Sequence, residues 1–340
     1  MDAIKRGVML GALLLFFGGC SSEQLPLSEP ERYDLTLCLE TTAGGTAAEA
    51  AALFAEKVEA LSDGRMTVGI VEVDEGALAL DGMVTGSYDL FLITNGTASE
   101  GIVDYTYFTS PYYFGDYEHM SLALNSDRLG TIMNARTRAA LRVEPMTALY
   151  GGSRVFIHAA ASFPITSIAD FEEQTPTLIP TPGGIMEDML KSNETPADIS
   201  GIEQILYDFE RRRVQLFDFY KRDFDRLVFH ERFDTVYLID DFHVVDINWL
   251  MINAETGDSL DGYQMAVLRE AAAYALAWND TTVTEWEEQM MTSFTDRFGK
   301  GSVLTEAAMA EEILAHIRMS VRYANLWNWD TYDMIREIAA

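Results

Sequence analysis

Cysteine is nearly absent: 340 residues hold two, Cys20 and Cys38. If Cys20 carries a lipid, as read below, no disulfide forms within the chain and the fold stands on its core alone. Basic residues are scarce as well. Against 54 Asp and Glu there are 24 Lys and Arg, a net charge of −30, which argues against nucleic acid or an anionic membrane surface as partner. The five histidines, at 119, 158, 230, 243 and 316, fall at no metal-ligand spacing, and HExxH, GxSxG, P-loop and CxxC patterns are missing. The expectation is therefore no catalytic residues, no cofactor and no metal, and a binding protein rather than an enzyme. The many carboxylates do not weaken it, since abundance in an acidic chain says nothing about a paired acid and base. Internal repeats and low-complexity stretches are also lacking. Hydrophobic residues, by contrast, make up 48% of the chain, enough for one large or two medium domains.

The one long apolar run lies at residues 8–17, after Lys5 and Arg6, and ends in Gly18, Gly19 and Cys20. It is shorter than the roughly 20 residues a membrane-crossing helix needs. It reads as a signal peptide, residues 1–19, whose small residues before Cys20 and polar Ser21, Ser22 and Glu23 after it form a lipobox. Cys20 is then acylated and becomes the mature N-terminus, and residues 20–32 tether the folded part to a membrane. The plainer alternative is a simple signal with Cys20 incidental. The expected location is periplasmic or cell-surface, lipid-anchored.

From there strands and helices alternate. Residues 34–39, 66–71 and 89–94 read as strands, 46–61 and 78–84 as helices, the first closed by Ser62, Asp63 and Gly64 and the second by Gly86. This order predicts an α/β domain with a mainly parallel sheet. A second group of strands follows at 147–149, 155–159 and 176–179, with a turn cluster Thr181, Pro182, Gly183 and Gly184. Between 202 and 228, Leu206, Phe209, Leu216, Phe217, Tyr220, Phe224 and Leu227 recur at helical spacing, predicting a long amphipathic helix or two in tandem. Strands return at 235–239 and 249–252, and everything from 260 onward reads as helical.

Six segments then match one family in order and spacing. They are Asp63-Gly64-Arg65-Met66-Thr67-Val68; Met83-Val84-Thr85-Gly86-Ser87-Tyr88-Asp89-Leu90; Ser110-Pro111-Tyr112-Tyr113-Phe114 with Asp116-Tyr117-Glu118-His119; Gly152-Ser153-Arg154; Pro164-Ile165-Thr166-Ser167-Ile168-Ala169-Asp170-Phe171; and Trp249-Leu250-Met251-Ile252-Asn253. In these the chain resembles the extracytoplasmic solute-binding component of tripartite ATP-independent periplasmic (TRAP) transporters, the DctP-like family, over residues 33 to 300. The resemblance implies an α/β, two-domain periplasmic solute-binding protein fold, with a hinge and a long inter-domain helix. Domain I would comprise residues 33–148 and 249–280, domain II residues 149–248, and helices of 281–340 would pack across both. It further implies a small-molecule ligand, usually an organic acid, held by hinged closure, with membrane permease subunits as partners and an accessory lipoprotein as a further candidate. Two departures bear on the ligand. The family usually carries an arginine on the strand after the helix at Asp170-Phe171, whose planar fork grips a carboxylate; here that stretch reads Thr177-Leu178-Ile179-Pro180. A Gly-Val-Val-Asp-Gly-type segment is replaced by Arg213-Val214-Gln215-Leu216-Phe217-Asp218. A second reading follows, in which the fold is repurposed as a partner-binding lipoprotein or a carrier of apolar ligands.

The candidate ligand contacts are Arg154, Thr94, Asn95, Tyr113, Phe217, Asp218 and Trp249. Arg154 stands at the Gly-x-Arg position and is either an anion contact or a surface or inter-domain arginine. Thr94 and Asn95 follow a buried strand, where hydroxyl and amide groups reach a cleft, or simply form the turn that Asn-Gly favours. Tyr112, Tyr113 and Phe114 offer aromatic area with a polar handle, in the core or against a ligand. Phe217, Asp218, Phe219 and Tyr220 either line the cleft or are helix core, and Trp249 packs at the domain junction or touches ligand. Seven basic residues between 211 and 232 form a salt-laced helix face or a patch for a partner protein.

Overall fold

The computed structural model describes residues 32–43, 46–159, 165, 167–174, 177–178, 193–194, 207–209, 211, 214–222, 235–307 and 309–338. The signal peptide, Cys20, the tether, the 181–184 turn cluster and most of the 202–228 stretch lie outside the described residues. Among the described residues no helix is long and apolar enough to cross a membrane.

The first half is built as the strand-helix alternation predicts. Strand β1 (Tyr33–Glu40) pairs in parallel with β2 (Met66–Val73) on one side and β3 (Leu90–Thr94) on the other. Helix α1 (Ala47–Leu61) buries Ala47, Ala50, Ala51, Phe54 and Val58, one side of a 3.6-residue repeat. Helix α2 (Gly76–Thr85) ends at Gly86, whose φ of 69° is the left-handed cap a glycine takes freely. After β3 come α3 (Asn95–Gly101), a 3₁₀ segment (Val103–Thr109), α4 (Tyr117–Leu124) and α5 (Asp127–Leu141).

Two antiparallel strands carry the sheet onward. Strand β4 (Val143–His158) pairs through Ser153 with the strand Val245–Asn253, which in turn pairs with β3. From Arg154 on, β4 pairs instead with Leu216–Tyr220 and Tyr237–Ile239. In chain order the later strands are β5 (Thr177–Leu178), β6 (Asn193–Glu194), β7 (Leu216–Tyr220), β8 (Tyr237–Ile239), β9 (Val245–Asn253) and β10 (Val303–Leu304). The sheet runs β2-β1-β3-β9-β4-β7-β5-β6, with β8 joining β4 to β10. It is parallel at its first edge, antiparallel where β9 runs between β3 and β4 and where β4 meets β7 and β8, and parallel again where β5 pairs with β6 and β7 and where β8 pairs with β10.

The two strands read at 147–149 and 155–159 are one. The intervening Gly151 and Gly152 form an irregularity in register rather than a break. A Cβ on Gly151 would lie 2.8 Å from Asp246 Cβ, and Gly152 has φ +109° with Glu287 Oε1 3.3 Å from where its Cβ would stand. Gly152→Ala is therefore expected to lose about 1–3 kcal/mol of stability through a backbone conformation that alanine resists, read as a lower urea midpoint at unchanged slope.

Of the tandem helix expected over 202–228, residues 207–209 are helical, but the stretch at 216–220 is corrected. Residues 216–220 form strand β7, with Phe217 and Phe219 on one face and Asp218 and Tyr220 on the other, so these four are not helix core. Leucine or an aromatic residue at every position but Asp218 satisfies a two-residue repeat as well as a helical one, and the ladder to β4 decides between them.

After α6 (Ile168–Gln174) and α7 (Ala254–Ser259), the 37-residue α8 (Gly262–Phe298) ties the two halves. Asp261 and Gln264 close its start with a capping box. Its Val267, Leu268, Ala271, Ala272 and Ala275 enter the core of β1, β3 and α1, while Met290 and Phe294 enter the core of Val155, Ile157, Phe217 and Phe219. Helices α9 (Ala310–Met319), α10 (Val321–Leu326) and α11 (Trp329–Arg336) follow, and Tyr332 and Trp327 pack on Tyr107.

Candidate functional site

The β4–β7 register sets Arg154 opposite Tyr220 and Phe156 opposite Asp218. Because side chains alternate along a strand, these four share one face while Val155, Ile157, Phe217 and Phe219 fill the core behind it. Arg154 is only 3% exposed. Its Nη1 donates to Asp218 Oδ2 at 3.1 Å and its Nη2 to the Tyr220 hydroxyl at 3.3 Å, with Asp246 Oδ1 3.7 Å away. The guanidinium carbon also lies 4.9 Å from the centre of the Tyr220 ring. Burial works against its charge, but Tyr220, Asp218 and Asp246 outweigh burial and hold Arg154 cationic.

His243 completes the pair from a different segment. It stacks on Phe156 with ring centres 4.0 Å apart, and its Nδ1 and Nε2 lie 2.8 Å from Asp241 Oδ1 and 3.4 Å from Asp218 Oδ1. Burial alone would discharge it; Asp241 and then Asp218 reverse that and push its pKa up to about 9. As imidazolium it donates to both. Tyr112 donates its hydroxyl to Asp241 Oδ2 at 2.5 Å and its backbone N–H to the His243 carbonyl at 2.8 Å. Tyr112 and Phe242 both sit in the left-handed region, at φ 54° and 56°, a strained setting for bulky side chains that the surrounding contacts must hold.

A second set of charges adjoins this one. Lys221 Nζ lies 2.7 Å from Asp240 Oδ1 and 3.6 Å from Glu287 Oε2. Glu287, reaching in from α8, accepts from the Ser153 N–H at 2.6 Å and the Tyr150 hydroxyl at 2.9 Å. Burial is the main reason its carboxyl is raised. Arg222 bonds Asp246 Oδ2 at 3.2 Å and lies 4.4 Å from the Tyr220 ring centre. The described members of the 211–232 basic group thus include two, Lys221 and Arg222, that pair inward rather than forming a surface patch.

Across the sheet, Thr94 pairs with Asn248, which pairs with Leu149 on β4. Thr94 is not in a turn but caps α3, and its N–H donates to Glu40 Oε2 at 2.9 Å, while Thr97 Oγ1 donates to Oε1 at 2.9 Å. Asn95 is buried, donating to the Tyr105 carbonyl at 2.9 Å and accepting from Trp249 Nε1 at 2.9 Å. Trp249 is edge-on to Tyr105, at the junction of strands β3 and β4. Tyr113 is core, its hydroxyl donating to the Tyr332 carbonyl at 2.9 Å. Of the candidates, then, Arg154 and Asp218 meet directly, Asn95 and Trp249 meet each other, and Phe217 faces the opposite side of β7. Reading the sequence missed His243, Asp241, Asp246 and Glu40. The acidic run Asp240-Asp241 before His243 was the one signal available. β5, where the resemblance implies an arginine, is Thr177–Leu178 and pairs beside Phe217 without a cation. Among the described residues, no group of His, Cys, Asp and Glu could hold a metal.

No family model matches the sequence, and no curated protein matches it by sequence. Solved structures do match by fold. A TRAP periplasmic solute-binding protein from Rhodobacter sphaeroides, in an apo open state, aligns with TM-score 0.73 at 16% identity, covering 90% of this chain and 98% of that one. The sugar acid binding protein DctPAm from Advenella mimigardefordensis, in complex with galactonate, gives 0.66 at 15%, covering 92% and 99%. A TRAP periplasmic solute-binding protein from Roseobacter denitrificans with bound beta-D-glucuronate gives 0.68 at 16%, covering 89% and 99%.

Proposed function

We propose that this chain, whose fold is that of the TRAP periplasmic solute-binding proteins, captures a small solute by hinged closure and delivers it to a membrane permease. It acts as a binding subunit and not as an enzyme. The observation that carries the reading is the crossing of β4 and β9 under α8, which joins two α/β halves with a buried set of charged and aromatic side chains at the crossing. Ligands of such sheets bind where the halves meet. In this reading Arg154 and Asp218 stand on the wall of the cleft and Thr94 on its other lip. Tyr113, Asn95, Phe217 and Trp249 support them from behind. Residues 33–148 and 249–280 form one domain, 149–248 the other, and 281–340 pack across both. The protein works outside the cytoplasmic membrane, held by lipid on Cys20. The organic acids named for its structural neighbours make sugar acids and related polyhydroxylated solutes the first class to test.

Thermal unfolding in the presence of such solutes tests it. A ligand at 100 times its dissociation constant adds about 2.7 kcal/mol, a shift of several degrees for a chain of this size. A flat response across acids, sugars and polyols would instead favour the repurposed fold, which the cation-free strand Thr177–Leu178 already suits.

A further inference from the structure

We propose that Asp218 is the specificity-determining residue of this site. It fills the fork of Arg154 from within the chain, so that a solute meets this wall with an uncharged, hydroxyl-bearing face and not with a carboxylate. The proposal rests on the solute-capture reading above and names the chemistry of that same site.

Asp218 takes one arm of the guanidinium fork that a ligand carboxylate would otherwise use. One of its oxygens accepts from Arg154 at 3.1 Å and the other lies 3.4 Å from His243 Nε2. Its backbone is fixed opposite Phe156 in the β4–β7 ladder, its side chain is buried, and both of its oxygens have a partner there. The second amino group of Arg154 is taken up by the Tyr220 hydroxyl and by Asp246. Among the described residues the cations here are Arg154, Lys221, Arg222 and His243, and the carboxylates Asp218, Asp240, Asp241, Asp246 and Glu287. A solute carboxylate would therefore add charge of the sign already in excess, and desolvating it unpaired is costly. A solute cation fares no better, since each of these carboxylates already has a cation beside it and the Tyr220 ring already carries two guanidinium groups. Tyr220, Arg222, Asp240 and Asp246 are the members that are not fully buried, and of the charged ones Asp246 is the most open, with 23% of its side chain exposed against 16% for Asp240 and 11% for Arg222. A carboxylate and a phenol at the surface of the set accept from and donate to hydroxyl groups.

That face can belong to an alditol or sugar without a carboxylate, or to a sugar acid whose carboxylate is held elsewhere. The experiment separates the two. Wild type, Asp218→Ala, Asp218→Asn and Arg154→Lys are compared by thermal unfolding and calorimetry against aldonates, uronates and the matching alditols. Sodium acetate is tested against sodium chloride at equal ionic strength. Acetate is expected to raise the melting temperature of Asp218→Ala by about 2 °C or more and to leave wild type unmoved, because it enters the space beside Arg154. If Asp218→Ala does not fold, Asp218→Asn keeps the shape of the side chain, and its affinity for the acid relative to the alditol should rise at least tenfold. Wild type that binds alditols alone, or acid and alditol alike, supports the proposal and tells which source supplies the face. Wild type that binds only the acids, with binding lost in Arg154→Lys, overturns it while upholding solute capture. No binding of any solute by wild type, together with acetate rescue of Asp218→Ala, leaves Asp218 as the group that fills the fork and removes the capture reading instead.

Discussion

Replacing Arg154 by methionine is expected to destabilise the protein by about 3–5 kcal/mol, the loss that follows when one partner of a buried ion pair is removed and the other is left uncompensated. Methionine keeps the length and volume of the aliphatic stem, so the cavity contribution is small and the electrostatic one is isolated. Left behind are Asp218 and, at its partly exposed edge, Asp246, which loses one of two guanidinium neighbours. His243 still faces Asp218, at a longer 3.4 Å, and recovers part of the loss. The double change Arg154→Met with Asp218→Leu removes both charges and should return to within about 1–2 kcal/mol of wild type, since well-packed apolar replacements of buried pairs are often neutral. The difference between the double variant and the sum of the singles, from urea unfolding at unchanged slope, measures the coupling. An arginine serving only to meet a ligand in an open cleft would show less than about 1 kcal/mol on its removal. That smaller result would take Arg154 out of the buried network described above.

The same pair shows what could be read from the chain and what could not. Arg154 and Asp218 each stood out in the sequence, one through its Gly-x-Arg setting and one through a departure from a family segment. Their meeting did not, because 64 residues separate them and only the β4–β7 register brings them together. The run from β1 to β3 was legible nearly to the residue, since the units β1–α1–β2–α2–β3 are local and each strand is bounded by its own turn signal; the helices over residues 95–141 were not read. β7 was not, because its aromatic run fits either repeat and its partner strand is distant. Gly151-Gly152 looked like the end of a strand, and the reason it is not lies in the close approach of Asp246. Glu40 was silent for another reason. A lone acid at a strand end carries no signal until Thr94 and Thr97 turn towards it.

The fold's stability should fall between pH 6.5 and 9, and His243→Gln should remove most of that fall. Unfolded, the imidazole titrates near its ordinary 6.5; folded, its pKa is pushed up to about 9, since burial, which would lower it, is outweighed by the charge on Asp241 and the contacts with Asp218 and Asp241. A basic group whose pKa rises on folding binds its proton more tightly in the native state. Its contribution is therefore complete below pH 6.5 and is lost as the pH climbs through 9. The span from 6.5 to about 9 corresponds to an upper figure of ~3 kcal/mol at about 1.4 kcal/mol per pH unit. The groups facing the ring include Asp241 and Asp218, with Tyr112 behind Asp241 and Arg154 behind Asp218. Cys38, pushed from 9.0 to about 11 by burial and then by Glu40, acts above this window. The tyrosines near the cluster, Tyr112, Tyr150 and Tyr220, are raised from 10 by burial and so act above it too. Urea midpoints at pH 6, 7, 8 and 9 for wild type and His243→Gln give the comparison. Converging curves, with the variant weaker at pH 6 and nearly equal at pH 9, place the proton on His243. Curves that run parallel would show that the ring carries no extra charge in the fold, and His243, with a single N–H, would then donate to only one of Asp241 and Asp218.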